Sequence, residues 1–186
     1  ADQQNLTGKT VAAFLALRRT DIQLDVVINP SGTYATAIQQ QIEGYSNITL
    51  HGSLPSLAPL MLQADLDIGA GGSTSWERCC MGLPALIITL AENQRPIAAA
   101  LHEQGYLEWL GDQEAVSETM ITDKLEEWLS RKDLEAISVR CRELVGGRGT
   151  DKVSDILLID EYIALNMRRA VLSDEHLILK WANDPA

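Results

Sequence analysis

The sequence predicts an α/β protein built on a doubly wound parallel sheet, and three observations carry that prediction. Short β-branched or apolar runs alternate with segments of helical periodicity. The connections between them are brief, so successive strands are joined by crossover helices and run parallel. One run, Pro84 to Leu90, is apolar almost throughout, as suits a strand covered on both faces.

Each element follows in order. Leu6 to Leu17 places Val11, Phe14, Leu15 and Leu17 at helical spacing. Leu24 to Ile28 is a short strand stopped by Asn29-Pro30-Ser31-Gly32. A helix is expected from Thr33 to about Gly44, a strand over Ile48–His51, a helix over Pro55–Ala64 and a strand over Leu66–Ala70. Gly71-Gly72-Ser73 breaks the pattern before a helix over Thr74–Met81, which Gly82 closes. After the apolar strand come helices over Gln94–Gln104, Ser117–Leu129, Asp133–Leu144 and Thr150–Leu165. Beyond Met167 the character changes: Arg168–Asp174 reads as strand and turn, and His176–Asn183 as the opening of an amphipathic helix. The expected organisation is one domain over residues 1–165 and the start of another over 166–186. The polar opening Ala1-Asp2-Gln3-Gln4-Asn5, with neither initiator Met nor signal pattern, reads as the beginning of a fragment.

Charge and composition narrow the function. A formal net charge of -11, with basic residues clustered only as pairs such as Arg18-Arg19 and Arg168-Arg169, argues against nucleic acid as a partner. No stretch approaches the roughly 20 apolar residues needed to cross a bilayer. Cys79, Cys80 and Cys141 are odd in number and lack C-x-x-C spacing, which fits buried thiols in a reducing cytoplasmic setting. His51, His102 and His176 are scattered, so no metal site is expected, and each histidine reads as a surface or satisfied side chain. No acid–base pair or nucleophile elbow stands out.

In a parallel sheet of this kind ligands bind beyond the carboxyl ends of the strands. The loops at that edge are Asn29–Gly32, Gly52–Leu54, Ala70–Thr74 and Ala91–Asn93. Within Gly69-Ala70-Gly71-Gly72-Ser73-Thr74-Ser75-Trp76-Glu77-Arg78 a glycine turn leads from a buried strand straight into a helix. Glycine admits a ligand close to the backbone, and the free N–H groups and dipole of the first helical turn favour a phosphate. A plain strand-to-helix turn fits the same residues. Glu77, one turn into the helix, could accept hydrogen bonds from both hydroxyls of a ribose. It also fits the last position of a capping box that starts at Thr74. Asn93 and Gln94, after the apolar strand, suit sugar hydroxyls or phosphate oxygens, although Asn93 equally fits a helix cap.

The block from Gly69 to Cys79, with Gly82-Leu83-Pro84-Ala85 and Ala91-Glu92-Asn93-Gln94-Arg95-Pro96, closely resembles the UDP-sugar hydrolases of pseudaminic acid biosynthesis. These enzymes remove UDP from a diacetamido-trideoxy-altrose and belong to the two-domain GT-B superfamily, which includes the glycosyltransferase that makes lipid II. The likeness runs from about Ala1 to Leu165 and is specific over residues 69–96. It implies the C-terminal half of a GT-B fold, with Gly71, Gly72, Ser73 and Thr74 holding the diphosphate and Glu77 the ribose. Ser53 and Leu54 would meet the uracil edge, and Asn93 and Gln94 would face phosphate or sugar. The family's catalytic histidine lies on a glycine-rich loop of an N-terminal GT-B domain, so none of the residues present here is expected to be catalytic. The UDP-sugar would be a substrate, with no cofactor. Separately, Met167-Arg168-Arg169-Ala170 through Trp181-Ala182-Asn183-Asp184-Pro185 is similar to the opening of GNAT-type N-acetyltransferases. Acetyl-CoA would serve only that further domain.

Overall fold

The computed structural model describes residues 4–159. The strand, turn and helix expected after Met167 lie outside them, as does the expected domain change at residue 166. The chain divides into two compact units, one ending at Gly147 and the other beginning at Arg148.

In the first unit the order is α1 (Leu6–Ala16), β1 (Leu24–Val27), α2 (Ala35–Gln41), β2 (Ile48–His51), α3 (Ala58–Met61), β3 (Asp67–Ala70) and α4 (Thr74–Met81). It continues with β4 (Ala85–Thr89), a 3-10 turn over Glu92–Gln94, α5 (Arg95–Glu103), β5 (Glu108–Asp112), α6 (Glu118–Leu129) and α7 (Leu134–Leu144). The second unit contributes α8 (Gly149–Ile159), whose first turn is tied by Arg148 Nε to Asp151 at 3.0 Å.

Every strand pair is parallel. The strands form two hydrogen-bonded ladders, β1–β2 and β3–β4–β5, where the alternation alone predicted one sheet. In the first, Leu24 stands opposite Ile48; in the second, Asp67 stands opposite Ala85 and Leu86 opposite Glu108. Strand β5 escaped the sequence reading. It is half-buried, carries carboxylates at both ends, and contains Gly111 at φ +120° beside a register irregularity at Ile87 and Ile88.

Strand β4 explains why the sheet is wound on both faces. All five of its residues are buried, and side chains alternate across the sheet. Leu86 and Ile88 share one cluster with Ala13 of α1, Ile121 and Trp128 of α6, and Ile137 and Cys141 of α7. Ala85 and Ile87 pack with Ala98 and Leu101 of α5. Each fully buried Leu or Ile contributes roughly 1.5–3 kcal/mol, so a polar residue on either face of β4 would be costly. The β1–β2 pair has its own core, in which Val26 and Ile48 meet Val11 and Phe14 of α1 and Ile38 of α2.

Helix α4 keeps its expected bounds, several others are shorter than the pattern suggested, and the end of the helix expected over Thr150–Leu165 lies outside the described residues. The segment after β2 keeps only the four-residue α3, with Pro59 in its first turn, and the Ser56 hydroxyl accepts from the Ala58 N–H at 3.2 Å. Helix α6 begins where expected, because the Ser117 hydroxyl accepts the Met120 N–H at 3.2 Å and satisfies one orphan donor. The cysteines are free thiols. Hydrogen bonding with Cys141, and then burial, push the Cys79 thiol well above its ordinary value.

Candidate functional site

Strand β3 ends at Ala70, and Gly71 completes its ladder by donating its N–H to the Ile88 carbonyl at 3.0 Å. The backbone then turns through Gly72 at φ +104°, a conformation open to glycine and strained for other residues. Ser75 and Trp76 donate to the carbonyls of Gly72 and Ser73, both at 3.0 Å, and α4 is under way. The backbone N–H groups of Gly72, Ser73 and Thr74 have no acceptor among the described residues. Three donors thus remain at the positive end of a helix.

The capping-box alternative is not realised. Ser73 precedes the helix in the right-handed helical region, no side chain caps the end, and Thr74 is already helical. A cap residue normally takes an extended conformation that lets its oxygen reach back to the second or third N–H. Glu77 is therefore not engaged at the cap; it stands exposed. Its side chain lines a groove of about 470 Å³ together with Leu54, Pro55, Leu57, Met61 and Cys80. That volume lies within the range of small-ligand sites. Helical rise puts Glu77 about 4.5 Å along the axis from Thr74. The structure thus brings Leu54, from the loop after β2, to the carboxylate that follows the glycine turn after β3.

The other wall of the turn is Gln94. A Cβ on Gly71 would lie 3.4 Å from its Oε1, and one on Gly72 would lie 3.6 Å from its Nε2. The Leu90 N–H donates to Oε1 at 2.9 Å, which fixes the amide and leaves Nε2 without an acceptor among the described residues. Gln94 itself precedes α5, and the extended Ala91 precedes the 3-10 turn. The alternative of Asn93 as a helix cap is thus not met. Ser53, after β2, and Asn93, after β4, are exposed, and their side chains have no hydrogen-bond partner among the described residues.

Two polar anchors beneath the loops were not singled out in the sequence. Arg78 of α4, 6% exposed, is ion-paired through Nε with Asp67 and donates Nη1 to the Ala70 carbonyl at 2.9 Å. Arg95, at the start of α5, donates Nε to Asp112 at 2.9 Å; Asp112 Oδ1 also accepts the Thr89 hydroxyl at 2.6 Å. The Arg95 guanidinium, and then the Thr89 hydroxyl, hold the Asp112 carboxyl below its ordinary range. This network ties the start of α5, and with it Gln94, to the ends of β4 and β5. The signal for both anchors was a charged residue inside or beside a buried strand or helix face.

His51 carries a partner that the sequence did not disclose: its Nε2 lies 2.6 Å from Asp25 Oδ1 across the β1–β2 pair. His102 Nδ1 accepts the Trp109 N–H at 3.3 Å. Among the described residues no three His, Cys, Asp or Glu side chains gather to hold a metal, and no helix is long and apolar enough to cross a membrane. A second groove, of about 280 Å³, lies against Trp76, Pro96, Ile97 and Leu144. Gln104 and the indole of Trp76 are its only polar lining side chains and no charged residue lines it, so it is poorly suited to a nucleotide.

No family model matches the chain. It is 29% identical over 161 residues to the spore coat polysaccharide biosynthesis protein SpsG of Bacillus subtilis, spanning 84% of this chain and 47% of that protein. It is 30% identical over 98 residues to protein MJ1062 of Methanocaldococcus jannaschii, covering 51% of this chain and 20% of that protein. The chain thus spans about half or less of the length of these relatives. Among solved structures, the glycotransferase of kitacinnamycin superposes with a TM-score of 0.66 at 20% identity, over 84% of this chain and 39% of that one. The spinosyn forosaminyltransferase SpnP gives 0.62 at 17% identity, with the same coverage. The chain has an α/β fold with parallel sheets that matches the C-terminal half of GT-B glycosyltransferases, and it is a distant homologue of SpsG.

Proposed function

We propose that the chain is the UDP-binding half of a UDP-sugar hydrolase in the synthesis of pseudaminic acid or a related surface polysaccharide. The observation that carries this reading is a helix that opens on three unpaired N–H groups, at Gly72, Ser73 and Thr74, and one turn later brings Glu77 to a groove shared with Leu54. The N–H groups suit a diphosphate. Glu77 suits the paired hydroxyls of a ribose, and the Ser53–Leu54 loop suits the edge and face of a uracil. Gln94 Nε2, and Asn93 beside it, would donate to the outer phosphate or the sugar. The name of the Bacillus subtilis relative supports polysaccharide biosynthesis as the setting.

In the proposed reaction water attacks the sugar–diphosphate linkage and UDP departs. The turn's donors take up the negative charge that grows on the leaving diphosphate, a role in which fixed dipoles are most effective. The attacking water would be activated by a histidine of a partner GT-B domain, so this chain is expected to bind UDP without hydrolysing it.

Titration of the chain with UDP tests the reading. Wild-type protein should bind in the millimolar range or tighter. Glu77→Ala should weaken binding about ten- to hundredfold, the scale of charge-assisted hydrogen bonds lost from a ligand. No binding at millimolar UDP, or equal binding by the variant, would count against it. A glycosyltransferase is separated by incubating the full-length protein with UDP-sugar and no acceptor: a hydrolase releases UDP and a transferase very little.

A further inference from the structure

We propose that Arg78 is the positioning residue of the diphosphate turn, tying the end of β3 to α4 so that the free amides of Gly72, Ser73 and Thr74 stay in place. The proposal rests on the UDP-binding reading above.

Strand β3 pairs with β4 along one side. Asp67 and Gly71 donate their N–H groups to Pro84 and Ile88 on the β4 side. Backbone groups alternate along a strand, so the Ala70 carbonyl points away from β4. Arg78 meets it there. Its Nη1 donates to that carbonyl at 2.9 Å, while Nε is paired with Asp67 at the other end of the strand. One guanidinium therefore spans β3 from its first residue to its last.

Gly69 completes the device. A Cβ at that position would collide with Arg78 Nη2. The first glycine of the Gly-Ala-Gly-Gly run thus makes room for the arginine, whereas Gly72 serves the turn itself. Removing an arginine from water is costly, and it is sustained only with full hydrogen bonding and a counter-charge. Asp67 supplies the counter-charge, so Arg78 acts on the turn as a brace and presents no free charge to a phosphate. Residues 77 and 78 are about 100° apart around a helix. Glu77 therefore lies on another face from the buried Arg78 and is exposed.

The test compares UDP with uridine, which lacks the diphosphate, on the full chain by NMR titration, with thermal melts as a control for folding. In Arg78→Met the affinity for UDP should fall about tenfold or more, while uridine affinity stays within about twofold of wild type. Arg78→Lys, which reaches either Ala70 or Asp67 but cannot fork to both, should give an intermediate loss. If Arg78→Met fails to fold, Gly69→Ala decides, since it displaces the guanidinium while keeping its charge: it too should weaken UDP selectively. Folded variants that bind UDP as wild type does would overturn the proposal, as would an equal loss for UDP and uridine. Wild-type protein that binds no UDP would overturn this inference and the functional reading together.

Discussion

Replacing Gly72 with valine is expected to abolish measurable UDP binding and to lower stability by about 1–3 kcal/mol, the cost of holding a non-glycine residue in a sparsely populated backbone region. The cause is torsional. Gly72 sits at φ +104°, and the nearest atom to a Cβ there would be Gln94 Nε2 at 3.6 Å, so space is not the difficulty. A branched side chain would drive the backbone back to negative φ, and the N–H groups of residues 72–74 would change direction. Gly71 is the control. Its φ is ordinary, and a Cβ would meet Gln94 Oε1, Ile87 Cγ2 and Thr89 Cγ2 at 3.4 Å, which is normal contact. Gly71→Ala should therefore bind UDP within a few-fold of wild type. Urea denaturation and a UDP titration on both variants check the pair; equal effects at the two positions would contradict the torsional account.

The largest stability loss is expected at Trp128. Its ring is 2% exposed in the cluster that backs β4, with the Arg131 guanidinium 4.7 Å from the ring centroid. Trp128→Ala should cost about 3–5 kcal/mol, the usual range for deleting a buried aromatic side chain. Since domains are stable by only about 5–15 kcal/mol, that loss should shift the urea midpoint far downward. Trp128→Phe should cost much less. The indole N–H is buried with no partner among the described residues, so its removal forfeits no hydrogen bond and relieves an unmet donor. A phenylalanine variant as unstable as the alanine one would show that the ring's fit, and not its burial alone, holds this side of the sheet.

Much of the layout was legible in the sequence, because the strongest signals were local. The apolar run of β4, the break at Gly71-Gly72 and the periodic face of α6 each depend on near neighbours along the chain. Strand β5 was missed for a physical reason: Glu108, Gly111 and Asp112 leave it no alternation, and its place is secured by pairing with β4 and by the Thr89–Asp112 hydrogen bond. The split into two ladders was equally hidden, since hydrogen bonding between β1 and its neighbours is a long-range property. At the site, the residues of the glycine turn could be named in advance, but Glu77 had two readings until the conformation of Ser73 removed the capping box. The pairings of Arg78 with Asp67 and of Arg95 with Asp112 were out of reach. Each depends on which helix face meets which strand end, and spacing along the chain does not encode that.

The most direct test of the central claim, that the turn's unpaired amides are the diphosphate site, is to follow the backbone amide resonances of Gly72, Ser73 and Thr74 in the labelled chain. UDP should move these three signals strongly, with smaller changes around Leu54 and Glu77, and uridine should move only the latter group. Were UDP to leave the three amides unmoved while shifting signals elsewhere, the diphosphate would bind at another place and the account would be wrong.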